Sequence, residues 1–377
     1  MSTEAKLAYC IPVKAPARLI QRLSEFDGFV ALEGDVEQHG RRLYTATPVR
    51  RWHCAEPAAA RQALAEAEHA LRQLIPTPSP TTHGRPFIAG LIGYLAYELG
   101  AQTLPFPTPL KATTENLLCI GLYLWCLNID ADGSAALHLH PACPNDQREM
   151  LLALLRATEA STAREASPPR HFRLTQPFLP RTDAASYANK VEQIRELIRS
   201  GDCYQVNLSQ CWEAEYTGSP WTAYQALRQV FPMPYAAYLS CPDRAILSLS
   251  PEMFLRILDG EVESRPIKGT RPRGQTTEDD QFFATDLRNS LKDQAENLMI
   301  VDLIRNDLSR FCNLGSVSVE NLFQIDSYPN VHHLVSTVKG QLKSDVSPLQ
   351  ALLSAFPGGS ITGAPKMRAM QIIADLE

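Results

Sequence analysis

The chain's 377 residues are enough for one large domain or two closely packed ones. An apolar fraction of 45%, a charged fraction of 20% and a net charge of −5 describe an ordinary globular protein; they argue against a nucleic-acid or acidic-membrane surface and leave a small molecule or another protein as partner. Nine cysteines, an odd number without a C-x-x-C, read as reduced thiols, and with no apolar signal region after Met1 and no run near ~20 apolar residues a cytoplasmic protein is expected.

A first domain is expected over residues 1–155. Its clearest element is a helix near 57–74, rich in Ala, Glu and Arg, which the cluster Ile75-Pro-Thr-Pro-Ser-Pro80 ends. Residues 117–127 and 135–140, separated by Asp130-Ala-Asp-Gly133, read as two strands joined by a turn. Residues 156–182 lack apolar periodicity and read as a linker, with a second domain over 183–377. There Tyr187, Val191, Ile194 and Ile198 share one helical face, which Ser200-Gly201 terminates. Strand-like stretches at 236–239, 245–249, 254–258 and 261–265 precede a second long helix over 283–310, its apolar side formed by Leu287, Leu291, Leu298, Val301 and Ile304. Strands grouped between long helices without βα alternation favour an α+β fold.

Lys268, in Arg265-Pro-Ile-Lys-Gly-Thr-Arg-Pro-Arg-Gly274, is placed like a reactive group at a strand end. A lysine nucleophile requires a depressed pKa, and the neighbouring Arg265, Arg271 and Arg273 are expected to push that way. The turn Asp259-Gly260 predicts a hairpin. With a three-residue loop Glu252 faces Lys268; with a two-residue loop it faces Ile267, and either way carboxylate and lysine come close. Glu296 interrupts an apolar helical stretch and suits a Mg²⁺ ion, which uses one or two carboxylates plus substrate oxygens. Asp302 and Asp307 read instead as a structural network with Arg305. Of His332 and His333 only one can face a given side of a strand. The run Phe356-Pro-Gly-Gly-Ser-Ile-Thr-Gly-Ala-Pro-Lys366 departs from P-loop spacing, and its glycines and hydroxyls suit a carboxylate or small polar substrate.

These segments together resemble the chorismate-utilising enzymes, most closely the aminodeoxychorismate synthase branch. The resemblance rests on Gly201-Asp-Cys-Tyr-Gln-Val-Asn-Leu-Ser209, Ser250-Pro-Glu252, Pro266-Ile-Lys-Gly-Thr270, the stretch 296–307, His333-Leu-Val-Ser336 and Gly358-Gly-Ser-Ile-Thr-Gly-Ala-Pro-Lys366, in family order, with a weaker match at Gly90-Leu-Ile-Gly-Tyr-Leu-Ala-Tyr-Glu98. Anthranilate synthases of the same family look like P-I-A-G-T where this chain has Lys268.

The resemblance implies an α+β fold of two orthogonally packed antiparallel sheets surrounded by helices. It implies conversion of chorismate and ammonia to 4-amino-4-deoxychorismate, for 4-aminobenzoate and folate biosynthesis, with ammonia from a separate glutamine amidotransferase subunit. Lys268 would attack C2 of the ring, Glu252 would act as general acid and base, and His333 would lie near the ring hydroxyl. Glu296 would ligate Mg²⁺; Thr270, Ser336, Gly359, Ser360, Thr362, Gly363 and Lys366 would bind substrate. Relatives also carry a tryptophan pocket, matched here at Gly34, Pro234, Tyr235 and Ala236 but without its serine and asparagine. The family continues beyond the position of Glu377 with an arginine and a second acidic Mg²⁺ ligand, so weak or absent activity is expected of this polypeptide alone. The competing readings are an anthranilate synthase component I and a non-catalytic tryptophan-binding or scaffolding subunit.

Overall fold

The computed structural model describes residues 9–33, 42–75, 87–101, 116–160 and 171–377, which divide into two compact units. The units interleave along the chain: the first takes Met1–Ala96, Thr113–Thr175 and Tyr216–Pro251, the second Tyr97–Ala112, Gln176–Glu215 and Glu252–Glu377. This differs from the expected boundaries, because the hairpin Tyr235–Ser240 and Ala245–Ser250 pairs with the early strand Val30–Glu33. The segment expected to be a linker is part helix at its start, since Asn145–Ala160 extends into it as far as Ala160 and buries Thr158 there. Every strand pairing among the described residues is antiparallel, in keeping with an α+β class.

The first unit is built on a seven-stranded sheet in the order Tyr9–Pro12, Ala135–Leu139, Trp125–Ile129, Arg42–Thr45, Val30–Glu33, Tyr235–Ser240, Ala245–Ser250. Beside it Arg50–Cys54, Leu118–Tyr123 and Gly90–Leu95 form a three-stranded sheet. The single strand expected over 117–127 is therefore two strands that join different sheets, parting at Leu124. Continuous burial hides this in the sequence: every residue of both strands is buried, so no polar position marks the break. Helix Pro57–Leu74 forms where its composition predicts, with Pro in its first turn and Ala60, Leu64, Ala67 and Ala70 inward. Large aromatics fill the core, with Trp221 edge-on to Phe29 at 5.0 Å and to Tyr238 at 5.2 Å.

In the second unit a central strand, Val331–Gln341, pairs along one edge with Ser318–Ser327. Its other edge takes Glu261–Arg265 and then the lysine strand, Ile267–Pro272. The predicted hairpin is present, and Leu258 opposes Glu261, so its loop is the two residues Asp259 and Gly260, both at positive φ. The long helix expected over 283–310 is instead two, Thr277–Asn289 and Leu291–Phe311. Ser290 ends the first and caps the second, its hydroxyl accepting from the Asp293 N–H. Apolar spacing runs on across this break, because Leu287 and Leu291 keep helical phase while Ser290 alone carries the stop.

Candidate active site

Lys268 enters the site through an irregularity in its strand. Ile267 pairs with Val335 and Thr270 with His333, so three steps along the lysine strand match two along its neighbour. This is a β-bulge at Lys268 and Gly269, and Gly269 takes φ +84°, a conformation that glycine adopts without strain. A second bulge, between Met253 and Arg256, shifts the hairpin register so that Met253 opposes Arg265 and Glu252 lies just beyond the ladder. Neither expected facing, Glu252 with Lys268 or with Ile267, occurs across the ladder. The contact between them survives by another route: the Glu252 carboxylate accepts from the Ile267 backbone N–H and feels the Lys268 charge.

Lys268 Nζ donates to the Ser360 carbonyl at 3.3 Å and lies 3.8 Å from Glu296 Oε1. Its side chain is 12% exposed and that of Glu296 is 33% exposed, so the amine is largely enclosed beside a carboxylate open to solvent. Burial raises the Glu252 carboxyl above the usual range; the Ser360 hydroxyl, the Lys268 charge and the Ile267 N–H offset this in part. The Ser360 hydroxyl, itself buried, lies outside full hydrogen-bond geometry to any group among the described residues, so its hold on Glu252 is loose. Lys268, Glu252, Glu296 and Ser360 thus converge on one place.

His333 is buried beside it, its Nδ1 3.0 Å from the Thr270 hydroxyl and its ring 5.6 Å from that of Tyr328. Burial lowers the proton affinity of its imidazole, against a hydrogen bond to the Gly269 backbone, which favours the charged form. His332 points the other way, between the Ser327 hydroxyl and Asp280.

The three arginines near Lys268 do not act as expected. Arg265 pairs with Asp326 at 2.6 Å, Arg271 with Asp286 at 2.6 Å and Asp293 at 3.2 Å, and Arg273 with Asp280 at 2.7 Å. Each positive charge is met by a carboxylate, and the charges set against Lys268 are the negative ones of Glu296 and Glu252. The carboxylates come from other elements, two helices and a strand, which is why the local cluster of arginines misleads.

Several residues expected to line the substrate are occupied internally. The Ser336 hydroxyl is fully buried, donating to Asn297 Oδ1 at 2.6 Å and accepting from the Phe323 N–H at 3.1 Å. The Thr362 hydroxyl donates to the Gly358 carbonyl at 3.0 Å. Lys366 forms a buried ion pair with Asp307, so Asp307 belongs with Lys366, and Asp302 alone pairs with Arg305, at 2.8 Å. Gly359 packs so closely on Leu303 that an added Cβ would lie 2.6 Å from its Cδ2, and Gly363 pairs with Val206 in a two-stranded ladder. Thr270 and Ser360 are the hydroxyl residues beside the lysine and histidine. Sequence reasoning did not foresee the Ser360 carbonyl as the lysine's acceptor or Asn297 as the anchor of Ser336; Asn297, adjoining Glu296 on an apolar helix, was the available signal for the latter.

For Mg²⁺, the long helix offers the Glu296 carboxylate, partly exposed and next to the enclosed amine. A single carboxylate completed by substrate oxygens is a donor set this ion accepts. Among the described residues no group of three or more His, Cys, Asp or Glu converges as a metal site. Of the tryptophan-pocket residues, Gly34 lies outside the described residues. Pro234 and Ala236 are buried and Tyr235 half-buried in the first unit, where Ala236 opposes Glu33. The Glu33 carboxylate there is taken by the Tyr44 hydroxyl and by Arg228 at 3.3 Å.

The chain is 42% identical over 305 residues to aminodeoxychorismate synthase component 1 of Salmonella typhimurium, covering 80% of this chain and 64% of that protein. It therefore spans less than two thirds of that relative's length. It is also 44% identical over 187 residues to anthranilate synthase component 1 of Aquifex aeolicus, covering 50% of this chain and 38% of the relative. The crystal structure of anthranilate synthase component I from Streptococcus pneumoniae shares the fold, with a TM-score of 0.72 at 24% identity over all of this chain and 78% of that one. Residues 30–377 match the chorismate binding enzyme family, and the chain belongs to that family.

Proposed function

We propose that the protein aminates chorismate to 4-amino-4-deoxychorismate, as component I of an aminodeoxychorismate synthase. The observation that carries this reading is the Lys268 amine, enclosed between the Ser360 carbonyl and Glu296 and in electrostatic contact with the half-buried Glu252. An anthranilate synthase component I is also a relative, but Lys268 supplies a nucleophile that the alternative chemistry does not use.

The neutral Lys268 amine attacks ring carbon C2, the double bond shifts, and the C4 hydroxyl departs with a proton from Glu252. Ammonia then attacks C4, the double bond shifts back, and the C2–N bond to Lys268 breaks as Glu252 takes up the surplus proton. A carboxyl whose proton affinity burial has raised is suited to both steps near neutral pH. His333, with Thr270 fixing its ring, would orient the departing hydroxyl. Mg²⁺, held by Glu296 and substrate carboxylate oxygens, would neutralise and orient the substrate's negative charge. Ammonia would come from a partner amidotransferase subunit. A cytoplasmic setting agrees with nine free cysteines, and among the described residues no helix is long and apolar enough to cross a membrane.

The test is intact-mass and peptide mass spectrometry of the chain extended to the length of its relatives and incubated with chorismate and Mg²⁺ in the absence of ammonia. A substrate-derived adduct on Lys268, missing in Lys268→Ala, is expected, and adding ammonium should release 4-amino-4-deoxychorismate. Anthranilate as product, or no adduct under turnover conditions, sinks the reading.

A further inference from the structure

Lys366 Nζ donates to Asp307 Oδ2 at 2.5 Å and to the Ala355 carbonyl at 3.0 Å, with the two charged side chains 10% and 4% exposed. Such buried pairs contribute little net stability, because desolvation of both charges offsets their attraction; here burial lowers the Lys366 pKa and raises that of Asp307, each charge opposing the other's shift. What the pair does supply is geometry. Ala355 is the last residue of helix Pro348–Ala355, whose terminal carbonyls favour a cation, and Lys366 is the first residue of helix Lys366–Leu376. One ammonium therefore closes the neck of loop 356–365 and fastens it to the side of the long helix Leu291–Phe311.

The same helix governs the rest of the loop. Gly359 packs on its Leu303, and Thr362 ties the loop internally to Gly358. Ser360, near the loop's middle, gives its carbonyl to Lys268 and sets its hydroxyl close enough to Glu252 to stabilise the carboxylate. Glu296 and Asp307 stand eleven residues apart on the helix (296 to 307), which is about three turns and nearly one face. Both partners of Lys268, Glu296 and the Ser360 carbonyl, are thus set from one rigid element.

We propose that Asp307 and Lys366 are positioning residues for the amination: their ion pair fixes loop 356–365 on the long helix and so determines where Ser360 holds Lys268 and Glu252. The inference rests on the reading of Lys268 as nucleophile. Its test is the charge-free double variant Asp307→Leu/Lys366→Met, compared with wild type for melting temperature, for kcat and KM with chorismate and ammonium, and for the rate at which limiting acetic anhydride acetylates Lys268. Replacing a buried pair by apolar side chains is expected to keep the melting temperature, while kcat falls about tenfold or more with KM within about twofold, because misplaced catalytic groups lose rate before affinity. Acetylation of Lys268 should rise about threefold as its carbonyl acceptor loosens.

Wild-type kcat and wild-type Lys268 labelling in a double variant of unchanged melting temperature overturn the proposal. If the double variant does not fold, Asp307→Glu, which keeps the charge and lengthens the tether by one methylene, is expected to show the same two changes in smaller measure, and their absence overturns the proposal equally. If wild type extended to the length of its relatives forms no aminated product, the reading of the reaction fails, and the labelling comparison alone still decides whether the pair positions Lys268.

Discussion

Each unit of this protein encloses a glutamate among internal partners, Glu33 buried and Glu252 half-buried, and the two are treated differently. In the first unit Glu33 is met by the Tyr44 hydroxyl and the Arg228 guanidinium within an aromatic core. In the second, Glu252 has a backbone N–H, a hydroxyl in imperfect geometry and a lysine within electrostatic reach, and burial still raises its proton affinity. A carboxylate surrounded by committed donors is a structural part; one with loose partners and a raised pKa is available for proton transfer.

Replacing Lys268 by alanine should break the comparison most completely. Removal of a covalent nucleophile is expected to lower the amination rate by about three orders of magnitude or more, measured as kcat/KM, with the fold retained by circular dichroism. Next comes Glu252→Gln, expected to lower kcat by about 10²–10⁴-fold. This variant should also be more stable than wild type at neutral pH. With its folded pKa raised, Glu252 favours the native state below its unfolded pKa near ~4.3 and loses that contribution as pH rises through the folded value, a loss that Gln does not suffer. Thermal melts between pH 4 and 8 check the sign; a variant less stable at pH 7 would show that Glu252 is as firmly held as Glu33.

Gly269→Ala follows. A Cβ there meets Asp293 and Leu287 at 2.9 Å on a residue at φ +84°, so a loss of about 1–3 kcal/mol is expected, together with reduced Lys268 adduct formation. The smallest effect on chemistry belongs to Tyr44→Phe. It takes a hydroxyl from Glu33 and should cost about 1–3 kcal/mol in denaturant unfolding, while the folded variant forms the Lys268 adduct at the wild-type rate.

What the sequence reveals follows the range of the forces involved. Helix Pro57–Leu74 and the hairpin strands are legible because a proline, an alanine-rich face and an Asp-Gly turn act within a few residues. The residues that converge on Lys268 were legible from their family resemblance, but their contacts were not. Spacing assigned Arg265, Arg271 and Arg273 to the lysine's electrostatics, whereas partners 15 to 61 residues away neutralise the first two. For Arg273 the partner is nearer still, Asp280, on the next helix rather than in the loop. Lys366 reads as a ligand for substrate until Asp307, 59 residues earlier, is seen beside it.

The bulge at Lys268 and Gly269 carries one more consequence. In a pleated strand, which side a residue faces is a matter of odd or even count, and the extra residue between Ile267 and Thr270 changes that parity. The orientation of the amine is thus written into chain length as well as chemistry. Deleting Gly269 would leave every reactive group in the sequence and turn Lys268 out of phase with the side on which Ser360 and Glu296 wait for it.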